Sequence, residues 1–293
     1  MIHYVALWLL VRVAGRLPLP LLDAIASLGG TVAWWWVRRL REVTRDHMRH
    51  ALGPNAPQSA VDRAARESVR SVARGYAEFA HLPHLTPDLV RARITTTDGM
   101  DALREALAEG HGAIIVSAHL GAPEVISHAA PTFGVDLAGL SEPLHPQPVH
   151  DFVHAVRAMA GVRYIPVSLA GLREARAHLA AGGALGILVD RDVIKSGRPY
   201  AFLGERASMP TGAVDLALRT GAPIVAVWCF RKGAGRYRLA ARRLPLPIAT
   251  GDRARDTDAG MRVVLDALED AIRSAPGQWG VTVPVWSGLV ADR

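Results

Sequence analysis

Three runs of apolar residues, each following a glycine, constrain the fold of this chain more than any other feature. They are Ala113–Val116, Ala184–Val189 and Pro223–Trp228, and none of them alternates between apolar and polar positions. Strands that are buried on both faces have this pattern, as in a sheet covered by helices on each side. Helical patterns separate the runs, so the sequence after Ile94 predicts an α/β fold with a mixed, largely parallel sheet flanked by helices.

Other elements are less strongly marked. Weaker strands are predicted at Val135–Leu140, Arg163–Val167 and Tyr237–Ala241. Asp98 is expected to cap a helix over Met100–Glu109, which ends at a glycine.

The N-terminal part of the chain is aromatic, apolar and basic. Its apolar stretch is interrupted by Pro18, ends in Trp34–Trp36 and is followed by Arg38. Indoles at headgroup depth beside cations that face phosphates are typical of an interfacial anchor, and the cleavage pattern of a signal peptide is missing. We therefore predict a membrane-associating helical segment over residues 1–40, lying in one leaflet, and an α/β domain over residues 41–293. The alternative is a pair of buried core helices.

Composition points to an anionic surface as a partner. Half of the residues are hydrophobic and the net charge is +7, which suits anionic lipid headgroups or nucleic acid. The apolar N-terminus favours the membrane, and the arginine-rich helix near Arg63–Arg74 lacks the aromatic residues that stack on bases. No nucleic acid partner is expected. Cys229 is the only cysteine, which excludes an intrachain disulfide and a cysteine-based metal site.

The first apolar run is followed by a histidine and a glutamate in a strand-to-helix turn. Ligand sites in such sheets lie beyond the carboxyl ends of the strands. His119 lies in this turn, and Glu124 falls in the first turn of the helix that Pro123 is suited to begin. We expect Glu124 to accept the Nδ1 proton of His119, leaving Nε2 as a general base. Backbone donors around Gly121 are expected to stabilise an oxyanion.

A second charged cluster follows the next strong run. Asp190, Arg191 and Asp192 are costly to bury unless they face a site, and the alternative is a solvated loop with a local ion pair. Further charged residues lie in a Gly/Pro-rich loop predicted to cover the site, with Arg206 suited to a phosphate. These weaker candidates are Arg198, Glu205 and Arg206.

The order of these motifs resembles a known enzyme family. The His119-x4-Glu124 spacing resembles the His-x4-acidic motif of the glycerolipid acyltransferase superfamily. The whole series resembles the branch that contains the bacterial lipid A biosynthesis (late) acyltransferases and the phosphatidylinositol mannoside acyltransferases. It includes Asp190–Arg191–Asp192, Met209–Pro210–Thr211–Gly212, Pro276–Gly277–Gln278–Trp279 and Trp286. The family usually has Asn-Trp where this chain has Ala122–Pro123, so the acceptor does not carry over with the chemistry.

This resemblance implies a membrane-associated acyltransferase. A fatty acyl chain would move from acyl-CoA or acyl-carrier protein to a hydroxyl of a glycolipid or phospholipid acceptor, at the cytoplasmic face of the cell membrane. It implies His119 and Glu124 as catalytic residues, with Asp190 and Arg191 the first candidates for holding the acceptor headgroup. No metal or bound cofactor is expected, because the thioester is a co-substrate.

Two other functions compete with this prediction. His119, Glu124 and His128 could ligate the metal of a hydrolase, since Glu124 and His128 share a helix face, although no HExxH motif is present. A non-enzymatic, basic membrane-binding protein is the second alternative. Sensitivity to a chelator would favour the hydrolase, and binding to liposomes without turnover would favour the second alternative.

Overall fold

The computed structural model describes residues 2–159 and 161–286. Met1, residue 160 and the end of the predicted α/β domain, residues 287–293, lie outside the described residues. The helices are α1 (Ile2–Arg12), α2 (Leu19–Trp36), α3 (Arg38–Leu52), α4 (Gln58–His81), α5 (Pro87–Arg93), α6 (Asp101–Ala108), α7 (Pro123–Ala129), α8 (Gln147–Ala158), α9 (Leu169–Ala180), α10 (Gly212–Thr220) and α11 (Arg253–Ser274). The strands are β1 (Ile94–Asp98), β2 (Ala113–Ser117), β3 (Leu137–Ser141), β4 (Arg163–Pro166), β5 (Ala184–Leu188), β6 (Arg198–Phe202), β7 (Glu205–Met209), β8 (Ile224–Gly233) and β9 (Arg236–Leu244).

A seven-stranded sheet with the order β1-β9-β8-β2-β5-β3-β4 forms the centre of the fold. Its strand pairs are parallel except for the antiparallel pair β8–β9. Successive residues of β2 pack on opposite sides: Ile114 and Val116 lie in one core cluster with α10 and α11, whereas Ala113 and Ile115 lie in another with α6. This burial on both faces explains the unalternating apolar runs. The predicted α/β fold is confirmed, and each predicted strand overlaps an observed one.

Two parts of the strand pattern were not predicted. β1 has the sequence Ile-Thr-Thr-Thr-Asp and pairs with β9 at the edge of the sheet. Because this edge strand is largely exposed, its sequence has no apolar run that would have predicted it. The prediction that Asp98 caps a helix is wrong, because Asp98 ends β1 and pairs with Arg238 at 2.5 Å. The expectation that Arg198, Glu205 and Arg206 lie in a loop is also wrong, because all three lie in the strands of the β6–β7 hairpin.

Helix α2 packs on the rest of the chain through one face. Leu22, Gly30 and Trp34 are buried on this face, which contacts α4. A Cβ on Gly30 would lie 2.8 Å from the Cα of Arg70, so the glycine permits the close approach of the two helices. Trp34 is therefore core rather than part of the predicted interfacial cluster, since only 1% of it is exposed.

The opposite face of α2 leaves a stripe of large apolar side chains in solvent. They recur at helical spacing, namely Leu21, Ile25, Leu28, Val32, Trp35 and Trp36. Within the described part of the chain, no helix combines the length and the hydrophobicity that crossing a bilayer requires.

Candidate active site at the carboxyl edge of the sheet

Strand β2 places His119 at the carboxyl edge of the sheet. Ser117, its last residue, donates its hydroxyl to the carbonyl oxygen of Val227 at 2.7 Å. Two residues later, the side chain of His119 is 30% exposed. The chain then turns at Gly121, whose φ is 66° and whose Cβ, if present, would lie 2.0 Å from the carbonyl oxygen of Cys229. Only glycine fits this turn.

Asp190 is the partner of His119. The imidazole Nδ1 lies 2.8 Å from Oδ1 of Asp190, and the backbone N–H of His119 donates to Oδ2 at 2.9 Å. The contact follows from the sheet, because β2 and β5 are parallel neighbours with Ser117 opposite Leu188. The residues two positions beyond each strand therefore meet. A carboxylate only accepts hydrogen bonds, so the network assigns the proton to Nδ1 and leaves Nε2 of the neutral ring free.

The carboxylate of Asp190 is fully buried. It accepts three N–H groups, the third being the indole Nε1–H of Trp279 at 2.9 Å from Oδ2. Burial alone would raise the pKa of Asp190. The attraction of the His119 ring in its protonated form, together with the hydrogen bonds from His119 and Trp279, outweighs burial and lowers this pKa below its usual value. Because no part of Asp190 is exposed, the structure corrects the expectation that it contacts an acceptor headgroup.

The predicted hydrogen bond between Glu124 and His119 is wrong. Asp190 occupies Nδ1, and the Glu124 carboxylate instead pairs with Arg157 of α8, whose Nε lies 3.1 Å from both carboxylate oxygens. The guanidinium of Arg157 also lies 5.2 Å from the ring centroid of Tyr164. The Glu124 carboxylate therefore takes part in a bidentate pair with a guanidinium rather than in a hydrogen bond with His119.

A second carboxylate–guanidinium pair lies beside the first. Arg191, which follows β5, donates to Glu142, which follows the adjacent strand β3, at 2.5 Å. Their side chains are 26% and 29% exposed, and Nε of Arg191 is buried with no partner among the described residues. Asp192 instead accepts the backbone N–H groups of Ser196 and Gly197. Arg191 is thus partly exposed and paired with Glu142, whereas the Asp192 carboxylate holds the following loop.

The remaining candidates lie on the β6–β7 hairpin. Arg198 pairs with Asp258 of α11 at 3.2 Å, and Glu205 pairs with His50 of α3 at 3.1 Å. Arg206 is exposed on the same hairpin. Neither ion pair includes His119 or Asp190, and the role of these three residues in binding stays a prediction.

The segment Pro276–Gly280 holds the turn that carries His119. The backbone N–H of Gly121 donates to the carbonyl oxygen of Gln278 at 2.9 Å, and that of Ala122 donates to Cys229 at 2.8 Å. These two N–H groups already donate within the protein, so neither of them is free for the oxyanion role expected of donors around Gly121.

The arrangement does not favour the metal site of the competing hydrolase. Across residues 2–159 and 161–286, no group of three His, Cys, Asp or Glu side chains is placed to hold a metal ion. His128 is buried, with Nδ1 3.3 Å from the backbone oxygen of Glu124, and this burial lowers the pKa of His128.

Several contacts of the site were not predicted. Glu142 and Arg157 lie in segments without a recognisable motif. Glu142 meets Arg191 because β3 pairs with β5, and Arg157 of α8 meets Glu124 of α7 through their ion pair. Both Asp190 and His119 are predicted site residues, but the hydrogen bond between them is not predicted by the sequence. The available signal was the position of Asp190, two residues beyond an apolar strand, which matches the position of His119 after β2.

Comparisons with known proteins identify the family of the chain. Residues 1–286 match the profile of the family described as bacterial lipid A biosynthesis acyltransferase. The phosphatidylinositol mannoside acyltransferase of Mycolicibacterium smegmatis is 26% identical over 96% of this chain and 97% of its own length. A protein of the same name from Mycobacterium tuberculosis is 27% identical over 84% of this chain and 77% of its own length. The chain therefore belongs to the bacterial lipid A biosynthesis acyltransferase family and is an acyltransferase of lipid biosynthesis.

Proposed function

We propose that this protein transfers a fatty acyl chain from an acyl thioester, acyl-CoA or acyl-carrier protein, to a hydroxyl of a glycolipid or phospholipid acceptor. The observation that supports this most directly is the contact of 2.8 Å between Nδ1 of His119 and Oδ1 of Asp190. A histidine oriented by a buried carboxylate, with its other nitrogen free at a partly exposed sheet edge, is suited to general-base catalysis.

The proposed reaction is a direct transfer. Nε2 of His119 takes the proton of the acceptor hydroxyl as its oxygen attacks the thioester carbonyl carbon. The tetrahedral intermediate then collapses, the C–S bond breaks, and the thiolate takes the proton back from the imidazolium. Asp190 stays ionised throughout and stabilises the imidazolium. The scheme uses the thioester as a co-substrate and requires no resident cofactor.

The acceptor is proposed to be a glycosylated phospholipid of the class named in the mycobacterial relatives. Arg191 follows β5, the neighbour of β2, and Glu142 follows β3, the next strand along; both side chains are partly exposed. A guanidinium can bind a phosphate, and a carboxylate can accept hydrogen bonds from sugar hydroxyls. Glu124 and Arg157 offer the same pair of groups, each with 22% of its side chain exposed.

The enzyme is proposed to lie on the cytoplasmic surface of the membrane through the exposed stripe of α2. A stripe of this length with Trp35 and Trp36 at its end suits insertion to headgroup depth. The double variant Trp35→Ala/Trp36→Ala should float less with anionic liposomes than wild type. Ile248→Ala, which removes an exposed apolar side chain outside residues 1–40, is the matched control. Equal flotation of the double variant and wild type would contradict this placement.

The test of the function is product identification. The enzyme is incubated with labelled acyl-CoA and total polar lipid, and the labelled lipid is identified. His119→Ala should lose about 10²–10⁴-fold in rate, the usual cost of removing a general base. Liposome binding without any labelled product would favour the non-enzymatic alternative, and transfer by His119→Ala at the wild-type rate would refute the mechanism.

A further inference from the structure

We propose that Trp279 is a positioning residue for the transfer, whose indole N–H orients the Asp190 carboxylate toward His119. The inference rests on the proposed function, because it assigns a role to a contact behind the proposed base. Trp279 is fully buried and touches no solvent, so it acts through Asp190 rather than on a substrate.

The three hydrogen bonds to Asp190 are divided unequally between its oxygens. Oδ2 accepts two of them, from the backbone N–H of His119 and from Nε1 of Trp279, each at 2.9 Å. Oδ1 accepts only from Nδ1 of His119, at 2.8 Å. Two donors on Oδ2 prevent the carboxylate from rotating, and Oδ1 is thereby kept in line with the imidazole. Without the indole donor, one oxygen could be shared between the two donors of His119.

Trp279 is held in place through its backbone. Its carbonyl oxygen accepts the hydroxyl of Ser68 at 2.5 Å, and it forms an antiparallel bridge with Leu120, the residue after His119. The next residue, Gly280, donates its N–H to the carbonyl oxygen of His119 at 2.6 Å. A single residue therefore joins the turn that carries the base to the carboxylate that orients it.

The indole ring is fixed by aromatic neighbours. Its centroid lies 6.1 Å from that of Phe202 and 6.3 Å from that of Trp286, both nearly perpendicular to it, and 5.0 Å from the ring of His47. The ring is fully buried among these neighbours, and such packing restricts its orientation and gives Nε1 a defined direction.

Trp286 provides a matched control within the same cluster. It is 2% exposed and packs on Phe202 and His50, yet its Nε1 is buried with no hydrogen-bond partner among the described residues. Replacing either tryptophan by phenylalanine removes comparable packing, but only Trp279→Phe removes a donor from Asp190.

The experiment measures kcat and KM of acyl transfer for Trp279→Phe and Trp286→Phe with labelled acyl-CoA and total polar lipid. Trp279→Phe should lower kcat about tenfold with KM unchanged, the size expected for one charge-assisted hydrogen bond. Trp286→Phe should retain the wild-type kcat within about twofold. It should lower the melting temperature by the same amount as Trp279→Phe does. In the Asp190→Asn background, Trp279→Phe should change kcat by less than about twofold, because the effects of substitutions at two coupled residues do not add.

Outcomes separate this inference from the proposed function. If His119→Ala is inactive but Trp279→Phe and Trp286→Phe have the same kcat, Trp279 has only a packing role and the inference is overturned. An additive effect of Trp279→Phe in the Asp190→Asn background would overturn it as well. Retained activity of His119→Ala would instead overturn the proposed function. If Trp279→Phe does not fold, 3-benzothienylalanine at position 279, which replaces the N–H by sulfur at nearly equal shape, should show the same tenfold loss, and wild-type kcat would refute the role.

Discussion

Asp190→Asn should remove transfer almost as completely as the loss of His119. The Oδ2 position accepts two N–H groups, from the His119 backbone and the Trp279 indole, each at 2.9 Å. Asparagine must place its carbonyl oxygen there, because its amide group would otherwise meet two donors. The amide then faces Nδ1 of His119 at the 2.8 Å contact and donates to it. The ring proton moves to Nε2, and the nitrogen that faces the substrate can no longer accept a proton.

The expected loss in kcat/KM is about 10³–10⁴-fold. Loss of a general base costs about 10²–10⁴-fold, and the same exchange in a serine-protease triad costs about 10⁴-fold through the wrong tautomer. Initial rates with labelled acyl-CoA measure it, and ¹⁵N NMR of the labelled imidazole reports which nitrogen is protonated. Glu124→Gln is the comparison, because Glu124 pairs with Arg157 rather than His119 and should lose less. If Glu124→Gln is inactive while Asp190→Asn keeps near-wild-type rates, the orienting role of Asp190 is refuted.

Three further predictions concern binding and stability. Arg191→Ala should raise the acceptor KM more than it lowers kcat in a saturation series at fixed donor, and an unchanged KM would remove Arg191 from the acceptor site. Arg231→Met removes the cation whose Nε lies 2.7 Å from the buried carboxylate of Glu78. The variant should lose about 3–5 kcal/mol of unfolding free energy, measured by urea denaturation, because the carboxylate is left buried and unpaired. A loss below about 1 kcal/mol would contradict a buried ion pair. Burial lowers the pKa of His47 from 6.5 to about 4. The stability that the neutral, buried imidazole contributes is therefore complete above pH 6.5 and is lost as the pH falls toward 4. Between pH 7 and pH 5 wild type should therefore lose about 2 kcal/mol more stability than His47→Phe, and parallel pH curves would refute this assignment.

The sheet, and the edge of it at which the candidate site lies, could be predicted because their signals are local. The residues Ala113–Val116 and Ala184–Val189 are apolar at every position, and only burial on both faces suits such strands. The polar residues after them had to lie at the carboxyl edge, and His119 is there. β1 escaped prediction for the same reason, since an exposed edge strand of threonines has no apolar run.

The face of α2 that is buried was decided by packing. The sequence marked Trp34, Trp35 and Trp36 as equivalent, but consecutive helical residues point about 100° apart. Trp34 falls on the side of Gly30, where α4 approaches closely, and Trp35 and Trp36 are left in solvent.

The partner of His119 depended on strand order. Glu124 is five residues away along the chain, whereas Asp190 is 71 residues away, so sequence spacing favoured Glu124. The order β2-β5-β3 sets Asp190 beside His119, and α8 brings Arg157 to Glu124. Chain periodicity determines which residues form strands and where those strands end. Which strand ends are neighbours is settled by the packing of the whole sheet, and the hydrogen bonds of the site follow from that pairing.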